Sequence, residues 1–254
     1  MTWNAQSEAK SERVAFFRYV LDLLRQDGRP RILDRDAVKG IMGEALEIYR
    51  DLQEMLEDRT VSRVIQSLLK AGALKCIMRD VYSNSMATPA PTLAEVAGRL
   101  REGAVVSLGT VLGESGIANN PSRVCVAVVP ASSGDVAMKR TVESPFGDWR
   151  FHVMRDAIFF AGEETDRLDS RFSYPRATPE RAFCDSLWFS TRVRSGKLSS
   201  PPLDSDLSGR DEDRLSRLVD AMGLQSPYED WCKRKATADA DDEFSEQVSL
   251  KLGF

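Results

Sequence analysis

Histidine and cysteine are scarce in this chain of 254 residues, and their scarcity excludes several kinds of site. The single histidine, His152, rules out a metal centre built from several histidines. The four cysteines are widely and irregularly spaced, which fits neither a zinc-binding pattern nor a disulfide framework. Each stands beside apolar residues, so we expect buried free thiols in a reducing compartment. These cysteines are Cys76, Cys125, Cys184 and Cys232.

Long apolar runs are also missing. No run approaches the roughly 20 residues that a membrane-spanning helix needs. The first eight residues, Met-Thr-Trp-Asn-Ala-Gln-Ser-Glu, contain neither the basic region nor the apolar region of a signal peptide. With 42% hydrophobic and 29% charged residues, the composition is that of a globular protein. We therefore expect a cytoplasmic protein, with no membrane partner and enough length for two modest domains.

The sequence lacks the residue constellations typical of an enzyme. His152 lies in a strand-like stretch where alternation turns it outward, and a lone histidine of this kind is most often structural or solvated. The glycine-rich segment 109–116 has no lysine after it and so does not match a phosphate-binding loop. Acidic residues within 239–246 could attract a cation, but an acidic tail is usually solvated. We expect no catalytic residue, no metal and no cofactor.

The most informative segment is 59–88, which predicts a basic helix followed by two short strands. Its apolar residues recur at helical spacing, and Gly72 supplies the positive φ that commonly ends a helix. Between Arg59 and Arg79 there are five basic residues and no acidic one. A helix followed by a β-wing is how a winged helix-turn-helix presents itself to the DNA major groove. The segment therefore indicates a DNA-binding protein.

Residues spaced three and four apart share one face of the predicted helix. Arginine and glutamine on such a face can make paired hydrogen bonds to guanine and adenine edges, and wing residues can contact phosphates. The predicted DNA-binding residues are Arg59, Thr60, Arg63, Gln66, Ser67, Lys70, Lys75 and Arg79. The alternative is an ordinary amphipathic helix with a solvated basic face.

Hydrophobic patterning divides the whole chain into three parts. In residues 1–88, a first helix is predicted over 11–26 and a second helix begins after the cap Asp34. A helical stretch over 44–57 then precedes the basic helix and the wing. Residues 89–200 predict a mixed α/β domain, and residues 201–254 a helical extension with an acidic tail. The fold class is therefore α+β, with a winged helix-turn-helix at the N-terminus.

Within residues 89–200, the apolar run 124–129 is the strongest strand and is expected at the centre of a sheet. Further strands are predicted over 149–154 and 157–160. A helix begins after Thr178, with Pro179 at its first position. In the last part, an amphipathic helix is predicted over 211–224.

Three blocks of sequence resemble the AbiEi-type antitoxins of type IV toxin–antitoxin systems, over roughly residues 59–190. They are Arg79-Asp-Val-Tyr82, the glycine-containing block from Arg101 to Gly116, and Ala177-Thr-Pro-Glu-Arg-Ala-Phe-Cys-Asp-Ser-Leu187. The third block is the most specific. The chain departs from the family pattern in a longer helical lead and in an extension beyond residue 200.

The resemblance implies an autorepressor whose N-terminal winged helix binds double-stranded DNA at inverted repeats in its own promoter. It also implies that the C-terminal domain neutralises a nucleotidyltransferase-like toxin. Because one winged helix covers a short site, we expect a monomer or weak dimer that binds adjacent repeats. The alternative function is a protein-interaction module that captures a partner toxin or defence protein without binding DNA. Its basis is charge, since residues 91–254 carry 21 basic and 26 acidic side chains.

Overall fold

The computed structural model describes residues 2–119, 123–133, 140–192 and 201–252, with side chains described from residue 11 to residue 240 within those ranges. The fold is α+β, as predicted, with helices around two small sheets. The chain divides into two compact units. The first comprises Met1–Val96 with Glu143–Gly147, and the second comprises Ala97–Val142 with Asp148–Phe254.

The first unit alternates helices with the strands of one sheet. Its elements are α1 (Thr2–Arg25), β1 (Ile32–Asp34), α2 (Arg35–Leu46), a 3₁₀ segment (Arg50–Leu56), α3 (Asp58–Lys70), β2 (Leu74–Met78) and β3 (Val81–Asn84). The strands are antiparallel in the order β1-β3-β2. Large buried side chains from all three helices form the core, among them Phe16, Leu24, Met42, Ile65 and Leu68. The predicted basic helix and both predicted strands after it are confirmed as elements.

Helix α2 begins where the sequence predicts but ends early. The Asp34 carboxylate accepts a hydrogen bond from the backbone N–H of Ala37 at 2.8 Å, which caps the helix. The helix predicted over 44–57 is wrong, because the chain leaves the α conformation after Leu46 and forms the 3₁₀ segment. Within the 3₁₀ segment Leu52 and Met55 are buried and lie three residues apart, which is one 3₁₀ turn.

The second unit contains most of a four-stranded sheet covered by helices. After α4 (Leu93–Leu100), the elements are β4 (Val105–Val106), α5 (Leu108–Glu114), β5 (Cys125–Pro130), β6 (Thr141–Ser144), β7 (Gly147–Met154), α6 (Asp156–Phe159), α7 (Glu164–Arg167), α8 (Pro179–Ser190), α9 (Glu212–Met222) and α10 (Gln225–Leu252). The strand order is β4-β5-β7-β6, and β5 pairs antiparallel with β4 and parallel with β7. The run predicted as a central strand is therefore an internal strand of the sheet.

The strand predicted over 157–160 is wrong, because these residues belong mainly to the short helix α6. Phe159 is buried while Phe160 is 53% exposed. An apolar run of four residues does not distinguish a strand from a helix by periodicity. Asp156, at the first position of the helix, accepts a hydrogen bond from the backbone N–H of Ser132 at 3.0 Å.

Helices α8 and α9 begin as the sequence predicts. Thr178 Oγ1 accepts a hydrogen bond from the backbone N–H of Arg181 at 3.2 Å, and Pro179 occupies the first helical position. Asp211 caps α9 by accepting from the N–H of Arg214 at 2.8 Å. The backbone of α10 stays helical through 239–246, where the sequence predicts an acidic tail. In the part of the chain that the structure describes, no helix combines the length and apolar character needed to cross a membrane.

Candidate nucleic-acid interface

Helix α3 separates its apolar side chains from its basic ones. Val61, Val64, Ile65 and Leu68 are buried in the core of the first unit. On the opposite side Arg59, Arg63, Gln66 and Lys70 are all exposed. None of these four side chains has a hydrogen-bond or ion-pair partner among the described residues. Their donor groups therefore remain free to bind another molecule.

Thr60 and Ser67 lie on a flank of α3 rather than at the centre of the exposed face. On a helical wheel they are rotated by about 60–80° from Lys70, toward α1. Thr60 is half-buried, and the Ser67 hydroxyl donates to the carbonyl oxygen of Arg63 at 3.0 Å. The structure thus brings Arg59, Arg63, Gln66 and Lys70 together and places the two hydroxyl residues beside them.

The two predicted wing residues are exposed on a short hairpin. Lys75 lies on β2, which is an edge strand of the sheet. Arg79 is 94% exposed at the turn between β2 and β3, with its Nε 3.6 Å from the carboxylate of Asp80. Asp80 adopts a φ of 59°, the left-handed conformation that such a tight turn requires. The tip of the wing is therefore the turn at Arg79 and Asp80, which joins β2 to β3.

The prediction that all four cysteines are buried is wrong for Cys76, which is exposed on β2. A β-bulge shifts the strand register between Cys76 and Met78, so the strict alternation of buried and exposed residues is broken there. Cys125 and Cys184 are buried, and Cys232 is half-buried.

Two basic residues that sequence reasoning missed lie against the start of α3. Arg35 donates to the carbonyl oxygen of Asp58 at 2.8 Å and to the Ser62 hydroxyl at 3.0 Å. Lys39 Nζ lies 3.7 Å from the Asp58 carboxylate, which is 82% exposed. Both cations offset the one acidic side chain within α3. The sequence does contain a signal for them: Arg35 and Lys39 follow the cap Asp34 and lie four residues apart, which places both on one face of α2.

In the second unit, the sequence block from Thr178 to Asp185 is buried and paired within the protein. Arg181 is 4% exposed, and its Nε donates to the Asp185 carboxylate at 2.7 Å. Its other nitrogens donate to the carbonyl oxygens of Ile158, Phe159 and Ala161 at 2.9–3.1 Å. The second Asp185 oxygen accepts from the Ser107 hydroxyl at 2.6 Å. The block therefore joins α8 to α6 and to the start of α5.

Helix α9 is joined to this block by further ion pairs. Arg217 donates to both oxygens of Asp166 at 2.8 Å. These hydrogen bonds hold the pKa of Asp166 below its ordinary value. The Thr178 hydroxyl donates to the Asp166 carbonyl oxygen at 2.6 Å, so the cap of α8 and the anchor of α9 meet at one residue.

His152 is half-buried on β7, so the prediction that it turns outward is wrong. Its ring centroid lies 5.4 Å from that of Phe189, and its Nε2 is buried with no hydrogen-bond partner in the described residues. Burial lowers the pKa of His152 to about 4, with a smaller contribution from Arg150 and Arg140. The imidazole is therefore neutral near pH 7.

Within the described ranges, no group of three or more histidine, cysteine, aspartate or glutamate side chains is arranged to hold a metal ion. No protein-family model matches the sequence, and no curated protein matches it.

Proposed function

We propose that this protein is a sequence-specific DNA-binding regulator of AbiEi antitoxin type, whose first unit is a winged helix-turn-helix. The observation that supports it best is the exposed face of α3, directly before a β-hairpin. Its side chains Arg59, Arg63, Gln66 and Lys70 have no partner in the part of the chain that the structure describes. Three helices beside a small antiparallel sheet with the strand order β1-β3-β2 support this proposal. In this proposal α3 enters the major groove and the hairpin contacts the backbone.

The charges around α3 support binding to phosphates. Lys75 and Arg79 extend the basic surface onto the hairpin, and Arg35 and Lys39 extend it onto α2. Basic residues on α2, α3 and the hairpin match the electrostatic footprint of a DNA-binding domain. The proposed activity is binding alone, with no catalytic step.

Replacing Arg63 with alanine is expected to weaken binding to the protein's own upstream region by about 1–3 kcal/mol, because a bidentate contact to guanine is lost. Preference at one base position should relax at the same time. The measurement is a fluorescence-anisotropy titration with this duplex and a scrambled one. Arg234→Ala, which changes an exposed arginine on α10, is the matched control. Equal binding by wild type and Arg63→Ala would refute the assignment of α3.

Replacing Lys75 with alanine is expected to act differently, because a phosphate contact carries no sequence information. Binding to the specific and the scrambled duplex should weaken by the same factor. The slope of log K against log salt should fall by about 1. Titrations at several salt concentrations measure it, and an unchanged slope would place Lys75 away from the DNA.

A second candidate function is capture of a nucleotidyltransferase-like toxin by the second unit. The observation that favours it is exposed acidic charge, since Glu212, Asp213 and Asp220 on α9 all face solvent. Opposite charge on a partner would accelerate their association. Co-expression with the product of the neighbouring gene tests it, by rescue of growth and by co-purification. Failure of both would leave DNA binding as the sole proposed activity.

A further inference from the structure

A groove of about 690 Å³ runs along the first unit between α1, the 3₁₀ segment and α3. Its floor is apolar and consists of Val14, Phe17 and Leu21 from α1, Met55 from the 3₁₀ segment and Val64 from α3. Val14 is 48% exposed, although most large apolar side chains of this unit are buried. The volume lies within the range typical of small-molecule sites, which are mostly apolar with a few placed polar groups.

The rim of the groove is basic. Arg13, Arg18 and Arg63 line it together with a single carboxylate, Glu54. Arg13 forms an exposed ion pair with Glu54 at 3.1 Å, so each already has a partner of opposite charge. Arg18 on α1 and Arg63 on α3 have no salt-bridge partner among the described residues, and they belong to opposite walls of the groove. An apolar floor between two unpaired guanidinium groups is complementary to a molecule with an apolar body and one anionic end.

We propose that this groove binds an amphipathic monocarboxylate, with an aromatic or long aliphatic body on the apolar floor and its carboxylate between Arg18 and Arg63. The class follows from the two parts of the lining. A fully polar anion would leave Val14, Phe17 and Leu21 exposed to water, and a neutral apolar molecule would leave both guanidinium groups unused.

The position of Arg63 gives this site a regulatory consequence. Thr60, Arg63 and Ser67 line the groove and are also among the predicted DNA-binding residues. An Arg63 side chain that holds a carboxylate is not available to a guanine edge. The ligand and the DNA therefore compete, and the ligand releases the regulator from its operator. This consequence depends on the proposed DNA binding, whereas the ligand site itself does not.

The first test is an isothermal titration of the full chain with 4-phenylbutyrate, which combines an aromatic body with one carboxylate. We expect saturable binding at millimolar ligand. The uncharged 4-phenylbutanamide should bind at least about tenfold more weakly, because it lacks the charge-assisted hydrogen bonds. Equal binding of acid and amide would overturn the proposal, as would no saturation with the acid.

Two matched pairs of variants locate the site. Val14→Asp places a negative charge on the groove floor and should abolish binding, whereas Ile48→Asp changes another exposed apolar residue outside the groove and should not. Arg63→Met should weaken 4-phenylbutyrate binding about tenfold. Arg59→Met, on the same helix but outside the groove, should leave ligand binding unchanged. Equal effects within either pair would place the ligand elsewhere.

An anisotropy competition separates this proposal from the proposed function. If 4-phenylbutyrate displaces the operator duplex from wild type but not from Val14→Asp, both are supported. If the duplex binds and the titration detects no binding of 4-phenylbutyrate, the groove proposal fails and the proposed DNA-binding function stands. If the ligand binds with the expected variant pattern and no duplex binds, the ligand site stands and the regulator fails.

Discussion

Replacing Arg181 with methionine is expected to destabilise the second unit by about 3–5 kcal/mol, the cost of breaking a buried ion pair. Arg181 and Asp185 are each 4% exposed. Without the guanidinium, the Ser107 hydroxyl is the one hydrogen-bond partner that Asp185 retains among the described residues. The carbonyl oxygen of Phe159 also loses the Arg181 donor, whereas that of Ile158 still accepts from the backbone N–H of Ala161 at 3.1 Å. Methionine fills a similar volume, so the loss of unfolding free energy reflects the broken polar network and not a large cavity.

Urea unfolding followed by tryptophan fluorescence measures this effect, because Trp149, Trp188 and Trp231 all belong to the second unit. Since the chain has two units, the free energy refers to the transition of this unit alone. Arg171→Met is the control and should cost less, because Arg171 is 77% exposed and the buried Asp169 carboxylate still accepts from the backbone N–H of residue 171. The double variant Arg181→Met/Asp185→Leu should recover part of the loss, because no unpaired carboxylate remains. Equal losses in the control and in Arg181→Met would contradict the network.

The second large effect is a dependence of stability on pH that originates at His152. Burial lowers its folded-state pKa to about 4, below the ordinary histidine value of about 6.5. As the pH falls below 6.5, the unfolded chain binds the proton first, so protonation favours unfolding. Between pH 7 and pH 4, wild type should therefore lose roughly 3 kcal/mol through this one group.

The variant His152→Phe isolates that contribution from the carboxylates, which titrate over the same range. Phenylalanine keeps an aromatic ring against Phe189 and removes the titrating nitrogen. Urea unfolding of both proteins from pH 7 to pH 4 should show wild type losing stability faster. Parallel stability profiles would show that His152 is solvated in the folded state.

Local signals predict much of this fold. The sequence alone places α3, because its apolar residues recur at helical spacing and Gly72 follows it with a φ of 72°. It also places the caps Asp34 and Thr178, since such side chains bond to nearby backbone N–H groups. Each signal lies within a few residues of the element that it predicts.

The failures arise where packing decides the outcome. Over 44–57, apolar residues occur often enough for a helix, yet their spacing suits a 3₁₀ turn. Over 157–160, a short apolar run has no distinctive period. Alternation along β7 predicts an outward His152, but Phe189 of α8 packs 5.4 Å from its ring. Contacts between distant segments produce the burial of His152, and local patterns do not report them.

The candidate DNA-binding face was predictable because it lies within a single helix and the hairpin after it. The groove was not, because Val14 and Met55 are separated by some forty residues and meet only in the folded unit. The spacing of Arg35 and Lys39 indicates a shared face of α2, but their contact with Asp58 on the next α-helix exists only in the folded unit. The AbiEi-type function and the binding of inverted repeats in the protein's own promoter both stay predictions.

The exposed position of Cys76 makes the hairpin a natural attachment point for a fluorophore. Cys125 and Cys184 are buried, and burial raises the pKa of Cys125 to about 12, which keeps that thiol protonated. A maleimide dye should therefore react first at Cys76, next to Lys75 on the edge strand β2. Quenching or energy transfer from that dye to a labelled duplex would then report the distance between hairpin and DNA in the native sequence.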